Sequence, residues 1–323
     1  MNTTSRPPRP SRTFVAAANG PSRRHDLRDA RCLVTGASSG LGQAIAVALG
    51  EAGCRVVLTG RSAERLEQTA RSLIDAGRPP SSVSTVVADL TSESDRSRLL
   101  NAVSTRFAGS LDLLVNAAGV GAYGRFESHH PSVLREVFEI NLFALAELTR
   151  GALPLLRRGR APSVVNIGSI VARRGLPGRS EYSASKFALA ALCESLRAEW
   201  AKDGIGVLLV NPGFTATPFE DHLLVNTAVY QTTSRRSMTA ADVACATLRA
   251  LRRGRHEITL TSGGRLLLLL NRLIPRFVDF AFSLWTRRLY SDLAALHRAE
   301  GRSADRLDCP KSSSPLQSSE SGD

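Results

Sequence analysis

The sequence has few cysteines and no long hydrophobic run, and each absence excludes a class of protein. The five cysteines are odd in number and lack metal-ligand spacing, so we expect a reducing compartment, no disulfide framework and no bound metal. Four of them (Cys32, Cys54, Cys193 and Cys245) lie in apolar segments and are predicted to be small core residues. No apolar stretch reaches the roughly 20 residues of a transmembrane helix. These features predict a cytoplasmic protein.

Aromatic residues are also scarce, at 5% of the 323 residues, and they are not interleaved with the basic ones. The net charge of +13 comes mainly from the flanks: residues 1–31 have seven arginines and two aspartates, and residues 252–298 have nine arginines and three acids. A groove for nucleic acid combines basic and aromatic side chains on a folded surface, so we expect no nucleic-acid partner. Residues 1–29 and 300–323 are predicted to be disordered. The first of these lacks the apolar segment of a secretory signal, and an organellar transit segment is the alternative there.

Lysine is scarce as well, because only three of the 42 basic residues are lysines, at positions 186, 202 and 311. One of them, Lys186, follows Tyr182 by one helical turn, and Ser169 precedes that tyrosine by thirteen residues. Arginine stays charged, whereas the proton affinity of lysine can be tuned by its surroundings. A phenol one turn from an ammonium group is suited to proton transfer, so Ser169, Tyr182 and Lys186 are candidate catalytic residues.

From residue 30 onward, short β-branched runs alternate with longer helical patterns. The predicted strands are Cys32–Thr35, Arg55–Thr59, Val83–Ala88, Leu111–Asn116, Ser163–Ile167, Gly206–Asn211 and Glu257–Thr261. The predicted helices include Leu41–Ala52, Ala63–Asp75, Ser94–Phe107, Val133–Leu156 and Ala184–Lys202. Strands without polar alternation, separated by helices, indicate a parallel sheet covered on both faces. The pattern therefore predicts one α/β domain with a doubly wound sheet over residues 30–262, followed by a helical extension over residues 263–299.

The first predicted strand leads into a glycine-rich turn that opens a helix. Such a turn lets the backbone approach a pyrophosphate at the helix N-terminus. Its candidate cofactor-binding residues are Gly36, Ser38, Ser39, Gly40, Leu41 and Gly42. The second strand ends in Arg61 rather than in the acid that binds the ribose hydroxyl of NAD, which favours NADP(H) over NAD(H). The alternative is that Arg61 is an ordinary residue of the following helix.

Two further strand ends have residues suited to a nearby nucleotide. Asp89 and Leu90 close the third strand, where the carboxylate is suited to accept a hydrogen bond from the adenine amino group. Asp89 as the N-cap of the next helix is an equal alternative. The fourth strand ends in Asn116, Ala118 and Gly119, whose small size a cofactor backbone requires.

With these motifs in order, the chain resembles the classical short-chain dehydrogenases/reductases over residues 30–262. The resemblance implies a Rossmann-type sheet of about seven parallel strands, and a homo-dimer or homo-tetramer. It implies that Tyr182 is the general acid or base, that Lys186 lowers its pKa and holds the nicotinamide ribose, and that Ser169 binds the substrate oxygen. Asn141 would anchor a water of the proton path; a polar residue satisfied by helix packing is the alternative. Residues bordering the nicotinamide would be Pro212, Gly213 and Thr215.

Selectivity in this family resides in the substrate segment, here Phe214–Met238, and in the C-terminal extension. The substrate segment is mostly apolar and is expected to line the pocket through Phe214, Phe219, Leu223, Leu224, Val225 and Tyr230. It has no Arg or Lys up to Ser234, which argues against a strongly anionic group deep in the pocket. The extension is a basic amphipathic helix, bent or divided at Pro275. It is a lid, a dimer contact or a peripheral contact with the inner membrane surface through residues 264–298.

Together these features predict an NADP(H)-dependent reductase of a lipophilic ketone or aldehyde, reversible as an alcohol dehydrogenase. Reduction of a 3-oxoacyl thioester is the closest alternative, because it uses the same catalytic residues. Two alternatives of another class are a non-catalytic dinucleotide-binding scaffold and a membrane-surface interaction protein.

Overall fold

The computed structural model describes residues 26–227 and 237–288. The predictions for Tyr230, for the rest of the N-terminal flank and for residues 289–323 lie outside these ranges. One compact unit extends to Leu273, and a second unit begins at Ile274.

The centre of the first unit is a sheet of seven parallel strands, as the sequence predicted. The strands are β1 (Arg31–Thr35), β2 (Arg55–Gly60), β3 (Val83–Val87), β4 (Leu113–Asn116), β5 (Ser163–Ile167), β6 (Gly206–Asn211) and β7 (Glu257–Thr259). Their order across the sheet is β7-β6-β5-β4-β1-β2-β3, and every pairing in it is parallel. The strand order reverses between β1 and β4, where a crevice opens at the carboxyl ends of the strands.

Helices connect the strands and cover the sheet on both faces. They are α1 (Gly40–Glu51), α2 (Ala63–Asp75), α3 (Glu93–Arg106), α4 (Pro131–Phe138), α5 (Ala144–Leu156), α6 (Ser180–Glu199), α7 (Ala240–Arg252) and α8 (Ser262–Leu273). One core layer packs α1, α2 and α7 on the sheet, and it includes Leu27 and Ala30. The other packs α3, α5 and α6 on the opposite face. This double cover explains why the strands are apolar on both sides.

Two expectations from the sequence need correction. Of the four cysteines predicted to be core residues, Cys32, Cys54 and Cys193 are buried, but Cys245 is exposed on α7. An apolar neighbourhood in sequence was misleading there, because α7 is amphipathic and this position lies outside its buried face. The helix predicted over Val133–Leu156 is interrupted by a π-helical turn at Glu139–Phe143, which separates α4 from α5. Such turns often occur at functional sites.

The C-terminal segments are helical and leave apolar side chains exposed. Helix α8 exposes Leu266, Leu269 and Leu273. Beyond Ile274 a second helical stretch covers residues 275–288, so the break lies immediately before Pro275, as the sequence predicted. Within the two described ranges, no helix is both long and apolar enough to span a membrane.

Candidate functional site

A cavity of about 990 Å³ lies at the carboxyl ends of the strands and collects nearly all the candidate residues. The predicted site residues that line it are Gly36, Ser38, Ser39, Gly40, Leu41, Gly42, Arg61, Asp89, Leu90, Ala118, Gly119, Ser169, Tyr182, Lys186, Pro212, Gly213 and Thr215. These residues come from strand ends that are far apart in sequence. The parallel sheet therefore brings the nucleotide-type motifs and the Tyr182–Lys186 pair to one crevice.

Two glycines of the glycine-rich turn lie where the neighbouring backbone leaves no room for a side chain. Gly36 has a φ of 64°, and a Cβ there would lie 2.9 Å from the nitrogen of Ala118. A Cβ on Gly42 would lie 2.2 Å from the carbonyl oxygen of Gly36, closer than any real contact. The side chain of Ser39, the N-cap of α1, makes no capping hydrogen bond. A bare turn before a twelve-residue helix fits a pyrophosphate, whose charge the helix N-terminus favours.

Next to this turn, the ends of β2 and β3 provide polar side chains. Arg61 follows β2 directly and lines the cavity. The carboxylate of Asp89 accepts hydrogen bonds from the backbone nitrogen and hydroxyl of Thr91, at 3.0 and 2.8 Å. The alternative prediction of Asp89 as an N-cap was wrong, because Ser92 caps α3 by accepting from the nitrogen of Asp95. Asp89 instead closes a short turn at the cavity wall.

Tyr182 and Lys186 lie one turn apart on α6, and both are buried, with 8% and 4% of their surface exposed. The Lys186 ammonium is 5.8 Å from the centre of the Tyr182 ring, and it donates a hydrogen bond to the carbonyl oxygen of Ile167 at 2.9 Å. Burial lowers the pKa of Lys186 to about 8. Burial also raises the pKa of Tyr182 well above its usual range, while a hydrogen bond with Ser169 and the charge of Arg179 act in the opposite direction.

Asn141 lies in the π-helical turn, behind the cavity wall rather than on it. Its Oδ1 accepts from the nitrogen of Val120 at 2.8 Å, and its Nδ2 donates to the Val120 carbonyl at 2.9 Å and to Ser185 Oγ at 3.0 Å. A Cβ on Gly119 would lie 3.0 Å from Asn141 Oδ1 and 3.4 Å from Lys186 Nζ. Asn141 thus holds the backbone after β4 against α6, next to the Lys186 ammonium.

Asn116 was predicted to contact the cofactor, but its side chain points into the protein. It is buried, and its Nδ2 donates to Thr149 Oγ1 at 2.9 Å and to Asn166 Oδ1 at 2.8 Å. The reason is strand alternation, because the residues that follow Asn116 turn toward the cavity while Asn116 itself faces α5. Asn116 therefore braces two strand ends rather than lining the crevice.

Two short parallel pairings hold the substrate segment, one between its two ends and one with the loop after β4. Thr215–Ala216 pairs with Met238–Thr239, and Ala122–Tyr123 pairs with Val225–Asn226. Of the residues predicted to line the pocket, Phe214 and Phe219 do so. The other described ones were predicted wrongly, because they pack against the loop after β4 instead: Leu223 on Gly121, and Leu224 and Val225 in a small core.

Two features of the site were missed from the sequence. Arg179 is buried beside Tyr182, with its guanidinium carbon 4.0 Å from the centre of the Tyr123 ring and 5.2 Å from that of Phe214. A cation therefore does line the pocket, contrary to the argument from the substrate segment. The spacing of Arg179 and Tyr182 by three residues was the available signal.

The second missed feature is a buried contact between His129 and Glu181, the residue directly before Tyr182. His129 Nδ1 is 2.7 Å from Glu181 Oε1. On its other side, His129 Nε2 is 3.5 Å from the hydroxyl of Thr227. The end of the described substrate segment is thus connected through one imidazole to helix α6. No motif in the sequence indicated this contact, since His129 and Glu181 are 52 residues apart.

The sequence and the fold are similar to those of known proteins. The family model for short chain dehydrogenases matches residues 30–227. A "Dehydrogenase/reductase SDR family protein 7-like" from Anopheles gambiae is 34% identical over 241 residues, which are 71% of this chain and 74% of that protein. A short chain dehydrogenase/reductase from Burkholderia phymatum, solved with NAD, has a TM-score of 0.69 at 26% identity, with 77% of this chain and 94% of that one covered. One from Burkholderia cenocepacia, solved with NADP, has a TM-score of 0.67 at 26% identity, with 80% and 99% covered.

Proposed function

The chain belongs to the short-chain dehydrogenase/reductase family and is therefore an oxidoreductase, and from this premise we propose an NADP(H)-dependent reductase of a lipophilic ketone or aldehyde. In the reverse direction it would oxidise a secondary alcohol. The observation that carries the proposal is the buried Tyr182–Lys186 pair. Together with Ser169, this pair lines the same cavity as the glycine-rich turn. A nicotinamide, when bound, supplies or accepts the hydride.

The proton transfer is assigned to the phenol of Tyr182. As a carbonyl carbon gains hydride, its oxygen becomes basic and takes the proton of Tyr182 Oη, which leaves a phenolate. The Lys186 ammonium and the Arg179 guanidinium favour that phenolate electrostatically, against the desolvation that raises the pKa of Tyr182. Ser169 donates a hydrogen bond to the oxygen where the charge develops. Asn141 holds the backbone beside Lys186, and a water anchored there would return the proton to the site.

The cofactor would be held by the bare turn and by the strand ends around it. Gly36–Gly42 would receive the pyrophosphate at the N-terminus of α1, while Asp89 and Leu90 would border the adenine. Ala118 and Gly119 would allow the close approach of the cofactor backbone. At the other end, Pro212, Gly213 and Thr215 would border the nicotinamide. The glycine contacts support this assignment, because a Cβ at Gly36 or Gly42 would collide with the backbone.

The preference for NADP(H) is tested by direct binding. Arg61 stands at the end of β2 without an ion-pair partner among the described residues, and its forked donors suit a ribose 2′-phosphate. We expect wild-type protein to bind NADPH at least about tenfold more tightly than NADH, as one charged hydrogen bond supplies. Arg61→Ala should remove most of this difference by weakening NADPH binding alone. Equal dissociation constants for NADPH and NADH, from fluorescence titrations of the wild-type protein, would contradict the preference.

The substrate is proposed to be lipophilic because Tyr123, Phe214 and Phe219 form much of the cavity wall beside Tyr182. The Phe219 ring lies 5.7 Å from that of Tyr182, between centres. Oxidation of NADPH, measured against a panel of steroid, retinoid, acyl and small ketones, tests this. Turnover that is fastest with small polar ketones would count against a lipophilic substrate.

A peripheral contact with an anionic membrane surface is proposed for the C-terminal segments. In α8, Leu266, Leu269 and Leu273 share one exposed face, with Arg265 and Arg272 beside them. Residues 275–288 repeat the pattern by themselves, exposing Phe277, Phe280, Leu284 and Trp285 beside Arg276 and Arg287. Apolar side chains flanked by arginines suit a lipid surface of negative charge.

Sedimentation of the full chain with vesicles tests this contact. We expect binding to vesicles of mixed phosphatidylglycerol and phosphatidylcholine, and weaker binding at high salt, which screens the arginines. Leu269→Glu and Phe280→Glu should each reduce the bound fraction severalfold, whereas Phe126→Glu, at an exposed apolar position elsewhere, should not. A self-association that the first two variants abolish, without vesicle binding by the wild type, would assign the surface to a dimer instead.

A further inference from the structure

Arg65 of helix α2 and His222 of the substrate segment are in contact at the cavity wall. Arg65, in the first turn of α2, has its Nη1 3.2 Å from Nε2 of His222, so the guanidinium donates to the imidazole. His222 belongs to the short helical turn Glu220–His222 of the substrate segment, 157 residues away in sequence. Both residues line the cavity, as do Gly60 and Arg61 at the end of β2. The contact therefore lies beside the strand end where a dinucleotide places its adenosine ribose.

Neither Arg61 nor Arg65 forms an ion pair with an acid in the described part of the chain. Glu64, the acid of the same helical turn, accepts a hydrogen bond from Gln68 at 3.3 Å. Glu220, an acid of the same helical turn as His222, also lines the cavity, and its charge acts on Tyr123. Two guanidinium groups and an imidazole thus border one end of the crevice.

We infer that Arg65 and His222, together with Arg61, bind the ribose 2′-phosphate of NADP(H), and that this phosphate joins the substrate segment to α2. The inference rests on the NADP(H) preference proposed above and adds two residues to it. A phosphate dianion accepts several hydrogen bonds at once, whereas the ribose hydroxyl of NAD(H) carries no charge for a guanidinium to pair with. A phosphate oxygen placed between the two side chains would replace their direct contact and accept from both, from Arg65 and from the Nε2–H tautomer of the imidazole.

The position of His222 gives this phosphate a second effect. The substrate segment includes Phe214 and Phe219, which lie against Arg179 and Tyr182. A ligand that contacts both Arg65 and His222 would hold residues 220–222 against α2. NADP(H) would therefore hold residues 214–227 of the substrate segment in place more strongly than NAD(H), by the difference in their contacts. Cofactor choice and substrate binding would be coupled through residues 220–222.

Binding and hydrogen exchange test the two parts separately. In fluorescence titrations of the full chain, Arg65→Ala should weaken NADPH binding about tenfold and His222→Ala about fivefold, with little change for NADH. Arg71→Ala is the matched control, because Arg71 lies on the same helix, is exposed and pairs with Glu67 away from the cavity. In hydrogen exchange, NADPH should slow exchange of amides 214–227 more than saturating NADH does, and His222→Ala should remove that excess.

Three outcomes separate the roles of Arg65 and His222 from the NADP(H) preference itself. If wild-type protein binds both nucleotides equally, the NADP(H) preference fails and the inference fails with it. If wild type prefers NADPH while Arg65→Ala and His222→Ala bind like Arg71→Ala, the preference stands on Arg61 and the inference is overturned. If Arg65→Ala loses affinity but neither titration nor exchange changes in His222→Ala, the connection to the substrate segment is overturned.

Discussion

Tyr182→Phe is expected to lower kcat for carbonyl reduction by about 10²–10⁴-fold, the usual contribution of a positioned general acid. The substitution removes only the hydroxyl, and the ring can keep its contact with Phe219 at 5.7 Å between centres. The Lys186 ammonium should also keep its hydrogen bond to the Ile167 carbonyl, because that bond does not involve the phenol. NADPH binding should therefore change little. Single-turnover oxidation of bound NADPH is the measurement that separates the chemical step from binding.

The matched control is Tyr123→Phe, which makes the same chemical change at a second buried tyrosine of the same cavity. The Tyr123 ring contacts Arg179 rather than Lys186, so its hydroxyl has no place in the proposed proton path. Its loss should cost far less than the loss of the Tyr182 hydroxyl. Equal losses in the two variants, or wild-type turnover by Tyr182→Phe, would show that Tyr182 is not the proton donor.

The sequence predicted those parts of the fold that depend on local patterns. The seven strands were predictable because each is a short apolar run, and α2 was predicted with its exact bounds because Ser62 and a 3.6-residue period define it. Tyr182, Lys186 and the glycine-rich turn were predictable because each motif is compact and its spacing has a chemical meaning. The parallel sheet then places these motifs at one edge without further information.

What the sequence did not predict depends on contacts between distant residues. The pairing of Arg65 with His222 and of His129 with Glu181 joins segments that no local pattern relates. Arg179 was missed because it lies outside the substrate segment, at the start of α6, and only the fold brings it to the cavity wall. The predictions that the side chains of Asn116, Leu224 and Val225 face the cavity were wrong for a different reason. Residue type suggested a role, but backbone direction decided which way each side chain points.

The free energy of unfolding should depend on pH through Lys186, in protein without added nucleotide. Burial holds the pKa of Lys186 at about 8 in the folded protein, against its ordinary 10.5. Below pH 8 the amine is protonated in both states, and its contribution does not change with pH. Between pH 8 and 10.5 the unfolded chain binds the additional proton, so stability rises with pH across this window. The full rise corresponds to about 3 kcal/mol.

Lys186→Met isolates this contribution because it removes the titrating group and keeps an apolar side chain in its place. Urea denaturation at pH 7 to 10.5 gives the unfolding free energies of the wild type and of Lys186→Met. As the pH rises, the wild type should become more stable relative to Lys186→Met. Lys202→Met removes an exposed lysine and is the matched control, so the Lys186 effect is the change in excess of that variant's. A difference that stays constant over this range would mean that the Lys186 ammonium is not destabilised by burial. The pair would then lack the tunable proton affinity that distinguishes lysine from the arginines used almost everywhere else in this chain.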